Sequence, residues 1–107
     1  MIYLSSPYTH PNPEVVQIRY HKTLEALAYL LNEGMMVFSP IAHCHEAAVR
    51  FKLPTDFNFW ARYNEHMVGI CEELWVLRLE GWELSIGVQN EINMALNLKK
   101  EVAYIDG

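Results

Sequence analysis

Short apolar runs alternate with longer stretches of helical periodicity along this chain. The runs that predict buried strands are Ile2 to Ser5, Met35 to Phe38, Leu74 to Leu77 and Val102 to Ile105. Strands that alternate with helices indicate a parallel sheet with helices on both faces. The pattern therefore predicts an α/β fold over residues 1–107. The predicted fold is one small, doubly wound domain of the flavodoxin or Rossmann type, with a parallel sheet of about four strands.

Start and stop residues bound the helices between these strands. The predicted helices run from Pro13 to Gly34, from His45 to Phe51, from Asp56 to Ile70 and from Ser85 towards the last apolar run. Asn12 is a typical N-cap residue, and Pro13 is typical of the first helical position. Gly34 is suited to ending the helix at its C-terminus. Asp56 is expected to cap the third helix in the same way as Asn12 caps the first.

A carboxylate interrupts the apolar side of the last helix. That side comprises Leu84, Val88, Ile92, Ala95 and Leu98. At about 100° per residue, Glu91 falls within the same arc, where an unpaired charge costs several kcal/mol. Glu91 is therefore a rim residue, the partner of a structural cation such as Arg19 or Lys99, or a desolvated nucleophile or general base. The small Gly87 one turn earlier and the donors at the helix start, Ser85 included, favour the last interpretation.

Polar segments follow the predicted strands, with the sequences SSPYTH, SPIAHCHE and RLEGWELSIG. In a parallel sheet the carboxyl ends of the strands meet at one edge, and ligands bind there where the strand order reverses. We therefore expect Ser6, Glu91 and one of His43 and His45 around one cleft. The wider set of candidate ligand-binding residues is Ser5, Ser6, Pro7, Tyr8, His43, His45, Trp82, Ser85 and Gly87.

Each candidate also has a structural interpretation, as a turn residue, a helix cap or a core aromatic. The segment HCHE at 43–46 contains zinc-ligand residue types, and His66 and Cys71 could complete a ligand set. Its spacing fits no standard zinc pattern, so we expect neither a metal nor a cofactor.

Composition narrows the function classes. With 51% apolar and 20% charged residues, the chain is typical of a soluble globular protein. A net charge of −5 argues against duplex nucleic acid as a partner, but it does not exclude small phosphorylated ligands. No apolar run is long enough to span a bilayer, and the start MIYLSSPY lacks the features of a signal peptide. Two cysteines without CxxC spacing predict reduced thiols in a cytoplasmic protein.

The segments IYLSSPYTH, FSPIAHCH and LEGWELSIGVQNEINMA resemble an uncharacterised bacterial family within the nucleoside 2-deoxyribosyltransferase-like superfamily. The resemblance extends from Met1 to Asp106, and its most specific part is the pattern Ser85-x-Gly87-x-x-x-Glu91. This pattern is similar to the catalytic element of the deoxyribosyltransferases and of deoxynucleoside 5′-monophosphate N-glycosidases. In those enzymes the matching Glu attacks the anomeric carbon of the deoxyribose. The matching Ser and Gly, with the first βα loop, hold the sugar or its 5′-phosphate.

The resemblance implies an N-glycosidase or deoxyribosyltransferase that acts on a nucleoside or nucleoside 5′-monophosphate, with Glu91 as the nucleophile. Asn64 stands where many relatives have an Asp that handles the proton of the leaving base, and Ser6 replaces a Gly common in the superfamily. An amide can hold a base by hydrogen bonds but cannot act as a general acid. Asn64 therefore also suits the alternative, a non-catalytic nucleotide-binding module with the same pocket. A purely structural subunit is the third interpretation.

The resemblance further implies a homo-oligomer, because members of the superfamily often form dimers or larger assemblies in which a neighbour closes the pocket. Aromatic side chains on the helix from Trp60 to Tyr63 are expected to be exposed for such a contact. The expected partners are thus a small nucleoside or nucleotide and further copies of this chain, with neither duplex nucleic acid nor a membrane.

Overall fold

A computed structural model of the protein describes residues 1–54 and 56–107. Its strands are β1 (Ile2–Ser5), β2 (Val37–Phe38), β3 (Glu73–Arg78) and β4 (Glu101–Asp106). Its helices are α1 (Pro13–Asn32), α2 (Pro40–Arg50), α3 (Phe57–Ile70) and α4 (Ile86–Asn97), and a short 3-10 turn at Trp82–Leu84 precedes α4. Within the described residues, none of the helices combines the length and apolarity needed to cross a membrane.

The four strands form one parallel sheet in the order β2-β1-β3-β4. The predicted α/β fold with a parallel sheet is confirmed. The chain passes from β1 outwards to β2 and then returns to β3 on the other side of β1, so the strand order reverses between β1 and β3. In such sheets a crevice opens beyond the carboxyl ends of the two strands at the reversal.

Helices cover both faces of the sheet, as the alternation of side chains along β1 requires. Tyr3 points to the face of α3 and α4, where the buried cluster also contains Val68, Cys71, Leu74, Val76, Val88, Ile92 and Ala95. Leu4 points to the opposite face and packs with Leu30 of α1 and with Leu77 and Leu79. Because the side-chain period of a strand is two, Ser5 shares the face of Tyr3.

Side-chain caps hold the predicted helix starts in place. Asn12, Asp56 and Ser85 each accept a hydrogen bond from a backbone N–H in the first turn of their helix. The predicted start near His45 is wrong, because α2 begins at Pro40. Ser39 Oγ accepts from the N–H of Ala42 at 3.1 Å, and the proline at the first helical position repeats the signature of α1.

Two other predicted boundaries also differ from the structure. β2 contains only Val37 and Phe38, because the N–H of Met35 still bonds to Leu30 O and closes the end of α1. Leu84 and Leu98 were expected on the apolar side of the last helix, but they are 88% and 48% exposed. They lie just outside α4, so the helical periodicity does not apply to them.

Gly34 and Gly69 offer a matched test of the backbone conformation. An added Cβ meets nothing within 4 Å at either residue, but Gly34 has a φ of +88° whereas Gly69 lies within α3. A side chain at positive φ costs about 1 kcal/mol, whereas Ala in a helix gains roughly 0.5 kcal/mol over Gly. In urea denaturation we expect Gly34→Ala to lower the free energy of unfolding and Gly69→Ala to raise it. A loss of stability in both variants would contradict this explanation.

Candidate functional site

A cavity of about 370 Å³ opens beyond the carboxyl ends of the strands. Its walls come from the loop after β1, from α2, from α3 and from the start of α4. Of the candidates named from the sequence, it is lined by Ser6, Tyr8, His45, Asn64, Ser85, Gly87 and Glu91. The structure thus brings Ser6, one histidine and Glu91 to one cleft, as the strand ends predict. Their contact with a ligand stays a prediction.

Glu91 is buried at the wall of this cavity, with 6% of its surface exposed. Tyr3 Oη donates a hydrogen bond to Oε2 of Glu91 at 2.5 Å, and Ser5 Oγ donates one to Oε1 at 2.6 Å. Both donors come from the same face of β1 because they are two residues apart. The carboxylate is therefore fixed by two hydroxyl groups of the central sheet.

No cation of the described chain forms an ion pair with Glu91. Arg19, the structural partner considered from the sequence, instead donates to the backbone oxygens of Thr9 and Glu80. Burial raises the pKa of Glu91 to about 7, and the hydrogen bonds from Ser5 and Tyr3 oppose the rise. Near neutral pH the group is therefore poised between its acid and carboxylate forms. The rim and cation-paired interpretations do not fit this geometry.

The start of α4 presents open hydrogen-bond donors beside this carboxylate. Ser85 Oγ accepts from the N–H of Val88 at 3.2 Å, while the N–H groups of Ile86 and Gly87 occupy the first helical positions, where no intrahelical acceptor exists. A Cβ built on Gly87 meets only Ser85 Oγ, at 3.9 Å. Gly87 therefore keeps free the space into which a side chain would project. An anion or a sugar hydroxyl could bind at this helix end.

Aromatic rings fix His45 on the opposite wall. Tyr8 Oη and His45 Nδ1 are 2.6 Å apart, and the ring of Tyr20 stacks on the imidazole with centroids 3.7 Å apart. Burial lowers the pKa of His45 and raises that of Tyr8. Near neutral pH both groups are therefore uncharged, and the hydrogen of their bond lies on Tyr8 Oη or on Nδ1 according to the imidazole tautomer.

Asn64 of α3 also lines the cavity. Its Oδ1 is buried and has no hydrogen-bond partner among the described residues. Buried polar atoms without a partner are uncommon and are found at functional sites. The amide is thus available to a ligand only as a hydrogen-bonding group.

Several predicted site residues lie away from the cavity lining. Ser5 is fully buried and acts on Glu91, and Pro7 is buried in the turn after β1. His43 is exposed beside the ring of Phe38, because α2 starts at Pro40 and residues two apart point to nearly opposite sides of a helix. Trp82 packs against Tyr104 with ring centroids 5.6 Å apart and contacts the core.

Tyr3 and Trp60 are among the residues of this site that the sequence pattern does not identify. The apolar run predicts only a buried strand for Tyr3, although its hydroxyl needs a partner when buried and lies on the face of Ser5. Trp60 lines the cavity instead of standing exposed, and its Nε1 donates to Pro54 O at 2.8 Å. Tyr63 is also partly buried, so the expected exposure of these two aromatic side chains is wrong.

Arg19 of α1 forms hydrogen bonds with two loops of the site. Its guanidinium binds the backbone oxygen of Thr9 after β1 at 3.0 Å and that of Glu80 after β3 at 3.2 Å. Gly81 has a φ of +85°, and a Cβ there would lie 2.7 Å from the Arg19 guanidinium. The backbone conformation therefore favours glycine, and a side chain there would also displace the Arg19 guanidinium.

The sequence matches, over residues 1–106, the family described as Domain of unknown function (DUF1937), and the chain belongs to this family. None of the curated proteins with which it was compared matches it. Within residues 1–54 and 56–107, His, Cys, Asp and Glu side chains form no group of three that could hold a metal ion.

The buried position of Glu91 predicts a pH-dependent effect of its substitution. Because its pKa is about 7 in the folded protein and 4.5 in the reference state, the folded protein retains a proton that the unfolded chain has released. Stability is therefore lost as the pH rises between these values. Gln cannot ionise, so we expect Glu91→Gln to gain on the order of 3 kcal/mol relative to wild type between about pH 5 and pH 8. Thermal unfolding at both pH values measures this difference.

The control is Glu65→Gln, which removes an exposed carboxylate from α3. It should leave the pH dependence of the melting temperature unchanged. A Glu91→Gln variant that is less stable than wild type at both pH values by the same amount would contradict the assigned pKa.

Proposed function

We propose that the protein is an N-glycosidase or deoxyribosyltransferase of the nucleoside 2-deoxyribosyltransferase-like superfamily. It acts on a nucleoside or nucleoside 5′-monophosphate, with Glu91 as the nucleophile. The observation that carries this proposal is the buried carboxylate of Glu91 at the wall of the cavity, which Tyr3 and Ser5 hold and with which no cation of the described residues forms an ion pair. A structural carboxylate would normally be paired or exposed.

The chemistry follows that of retaining glycoside hydrolysis. The Glu91 carboxylate attacks the anomeric carbon as the bond to the base breaks, and a glycosyl ester forms. Water releases the sugar in a hydrolase, and a second base releases it in a transferase. In this proposal the amides of Ile86 and Gly87, at the first positions of α4, bind a hydroxyl or a 5′-phosphate of the sugar. We favour hydrolysis, since no separate acceptor-base site is evident in the sequence.

A nucleotide-binding module without catalysis is the second candidate. Asn64 supports it, because its amide lines the cavity but cannot protonate a leaving base. The two candidates share the pocket and differ only in whether the C1′–N bond is cleaved.

The proposed reaction is tested by incubating the protein with deoxynucleosides and their monophosphates and detecting free base by chromatography. The panel includes both neutral and positively charged bases. We expect base release whose rate rises with pH through about 7, because Glu91 attacks as the carboxylate. Glu91→Gln should reduce the rate by about 1,000-fold or more, since an amide forms no glycosyl ester. Glu65→Gln should retain the wild-type rate.

Binding of a nucleotide without base release from any member of the panel would favour the module. The absence of both binding and release would favour a structural subunit. Exchange of the sugar onto an added free base, with the hydrolytic product suppressed, would identify a transferase.

We also propose that the protein is a cytoplasmic homo-oligomer. Leu84 and Ile86 line the cavity and are 88% and 70% exposed, so a second copy that covers them would close the pocket.

Light scattering at micromolar concentration should give a mass above the 12.5 kDa of one chain. Leu84→Glu should lower this mass, whereas Leu98→Glu on another surface should not. A wild-type mass equal to that of one chain would contradict the proposed homo-oligomer.

A further inference from the structure

The described walls of the cavity contain carboxylates but no Lys or Arg side chain. Glu91 lies at one wall, and the exposed carboxylate of Asp56 lines another at the start of α3. Asn64 adds a carbonyl oxygen without a donor, and Trp60 adds an aromatic ring. Carboxylates, an unpaired acceptor and an aromatic ring all interact favourably with a positively charged ligand. The side chains of the cavity thus favour positive charge.

Apart from Glu91, which the proposed reaction uses as the nucleophile, the described residues of the same walls include no group suited to protonating a leaving base at neutral pH. Asn64 is an amide, and Tyr8, whose hydroxyl is hydrogen-bonded to His45 Nδ1, has a pKa that burial raises above its ordinary value. Burial lowers the pKa of His45 and raises that of Cys44, so one is a neutral imidazole and the other a weakly acidic thiol. The carboxylate of Asp56 accepts a backbone N–H as the cap of α3. None of these side chains is therefore suited to donating a proton to the leaving base as a general acid.

We infer that the substrate of this site is a cationic N-glycoside, in which the leaving base itself carries the positive charge. Purine nucleosides alkylated at N7 and pyridinium nucleosides belong to this class. The inference rests on the proposed function of Glu91 and names the substrate class of the same site. A cationic substrate accounts both for the carboxylates in the cavity walls and for the lack of a general acid beside the leaving base.

Such a substrate needs no proton to leave. The C1′–N bond breaks and its electron pair passes to the ring nitrogen, which becomes neutral. An oxygen of the Glu91 carboxylate forms the new bond to C1′. Water then attacks C1′, the ester bond breaks with its electron pair on Glu91, and one proton passes to the solvent. The neutral base and the free sugar are the products.

The distribution of charge in the transition state also suits this site. Positive charge moves from the base towards the sugar ring, and in the proposed reaction the Glu91 carboxylate bonds to the carbon at which this charge develops. A preorganised opposite charge in a buried site stabilises the transition state more than it does in water. A neutral base instead develops negative charge as it leaves, and the side chains of these walls offer it no cation.

The test compares 7-methyl-2′-deoxyguanosine with 2′-deoxyguanosine, which differ in the charge of the base. Base release is measured by chromatography with wild-type protein, with Glu91→Gln and without protein. We expect wild-type protein to release 7-methylguanine well above the spontaneous rate and to release guanine at no more than a hundredth of that rate. Glu91→Gln should return both substrates to the spontaneous rate.

Three outcomes are distinguishable. Release of the methylated base alone, dependent on Glu91, supports the inference. Release of both bases within tenfold of each other overturns the inference but leaves the proposed function in place. Release of neither base, here and across the wider panel, overturns the proposed function and the inference with it.

Asn64→Asp provides an independent test by supplying an acid in the cavity. An Asp at this partly buried position should have a raised pKa and could protonate a neutral base. We expect guanine release from 2′-deoxyguanosine to rise at least tenfold, while release of 7-methylguanine does not rise. Asn58→Asp, which adds the same charge at an exposed position of α3, should change neither rate.

Circular dichroism and the melting temperature check that Asn64→Asp is folded. An equal gain for both substrates, or no gain for the neutral one in a folded variant, would contradict the missing-acid argument. If this variant does not fold, the comparison of the two substrates with wild-type protein still decides the inference.

Discussion

The hydrogen bonds from Tyr3 and Ser5 to the Glu91 carboxylate are the interaction on which the site depends. They connect the N-terminal strand to the last helix, across most of the length of the chain. A buried carboxylate without donors would be strongly unfavourable, so these two hydroxyl groups stabilise α4 in the position that the packing of Val88, Ile92 and Ala95 gives it. The position of α4 in turn places its open N-terminus and Gly87 at the cavity. The core and the site are thus joined at one side chain.

The parallel sheet explains why the remaining walls meet at the same place. β1 and β3 are adjacent, and the loops that follow them leave the sheet at the same edge. Arg19 binds a backbone oxygen in each of these loops, so α1 fixes the distance between them. Helices α2 and α3 follow β2 at that edge and supply His45 and Asn64. The site therefore contains residues from distant parts of the sequence without any long loop.

Local signals predicted most of the fold, whereas the site depended on contacts between elements. Caps such as Asn12 and Ser85 and the apolar runs gave the strands and three of the helix starts, because these features act within one turn or strand. The burial of Glu91 could be predicted from helical periodicity. Its pairing with Tyr3 could not, because no local pattern specifies which hydroxyl of another element will meet it. His43 was misplaced for a local reason, since the Ser39 cap was not recognised.

The contact of Glu91 with hydroxyl groups instead of a cation affects both the stability of the folded protein and the proposed reaction of the carboxylate. An Arg or Lys in contact with the carboxylate would lower its pKa and stabilise the folded protein at neutral pH. The same cation would oppose the positive charge that develops at an anomeric carbon during glycosyl transfer, and it would reduce the nucleophilicity of the carboxylate. Neutral donors orient both oxygens without adding charge. Under the proposed function, a carboxylate whose pKa is about 7 is the cost of a site that is free to bind and stabilise a cation.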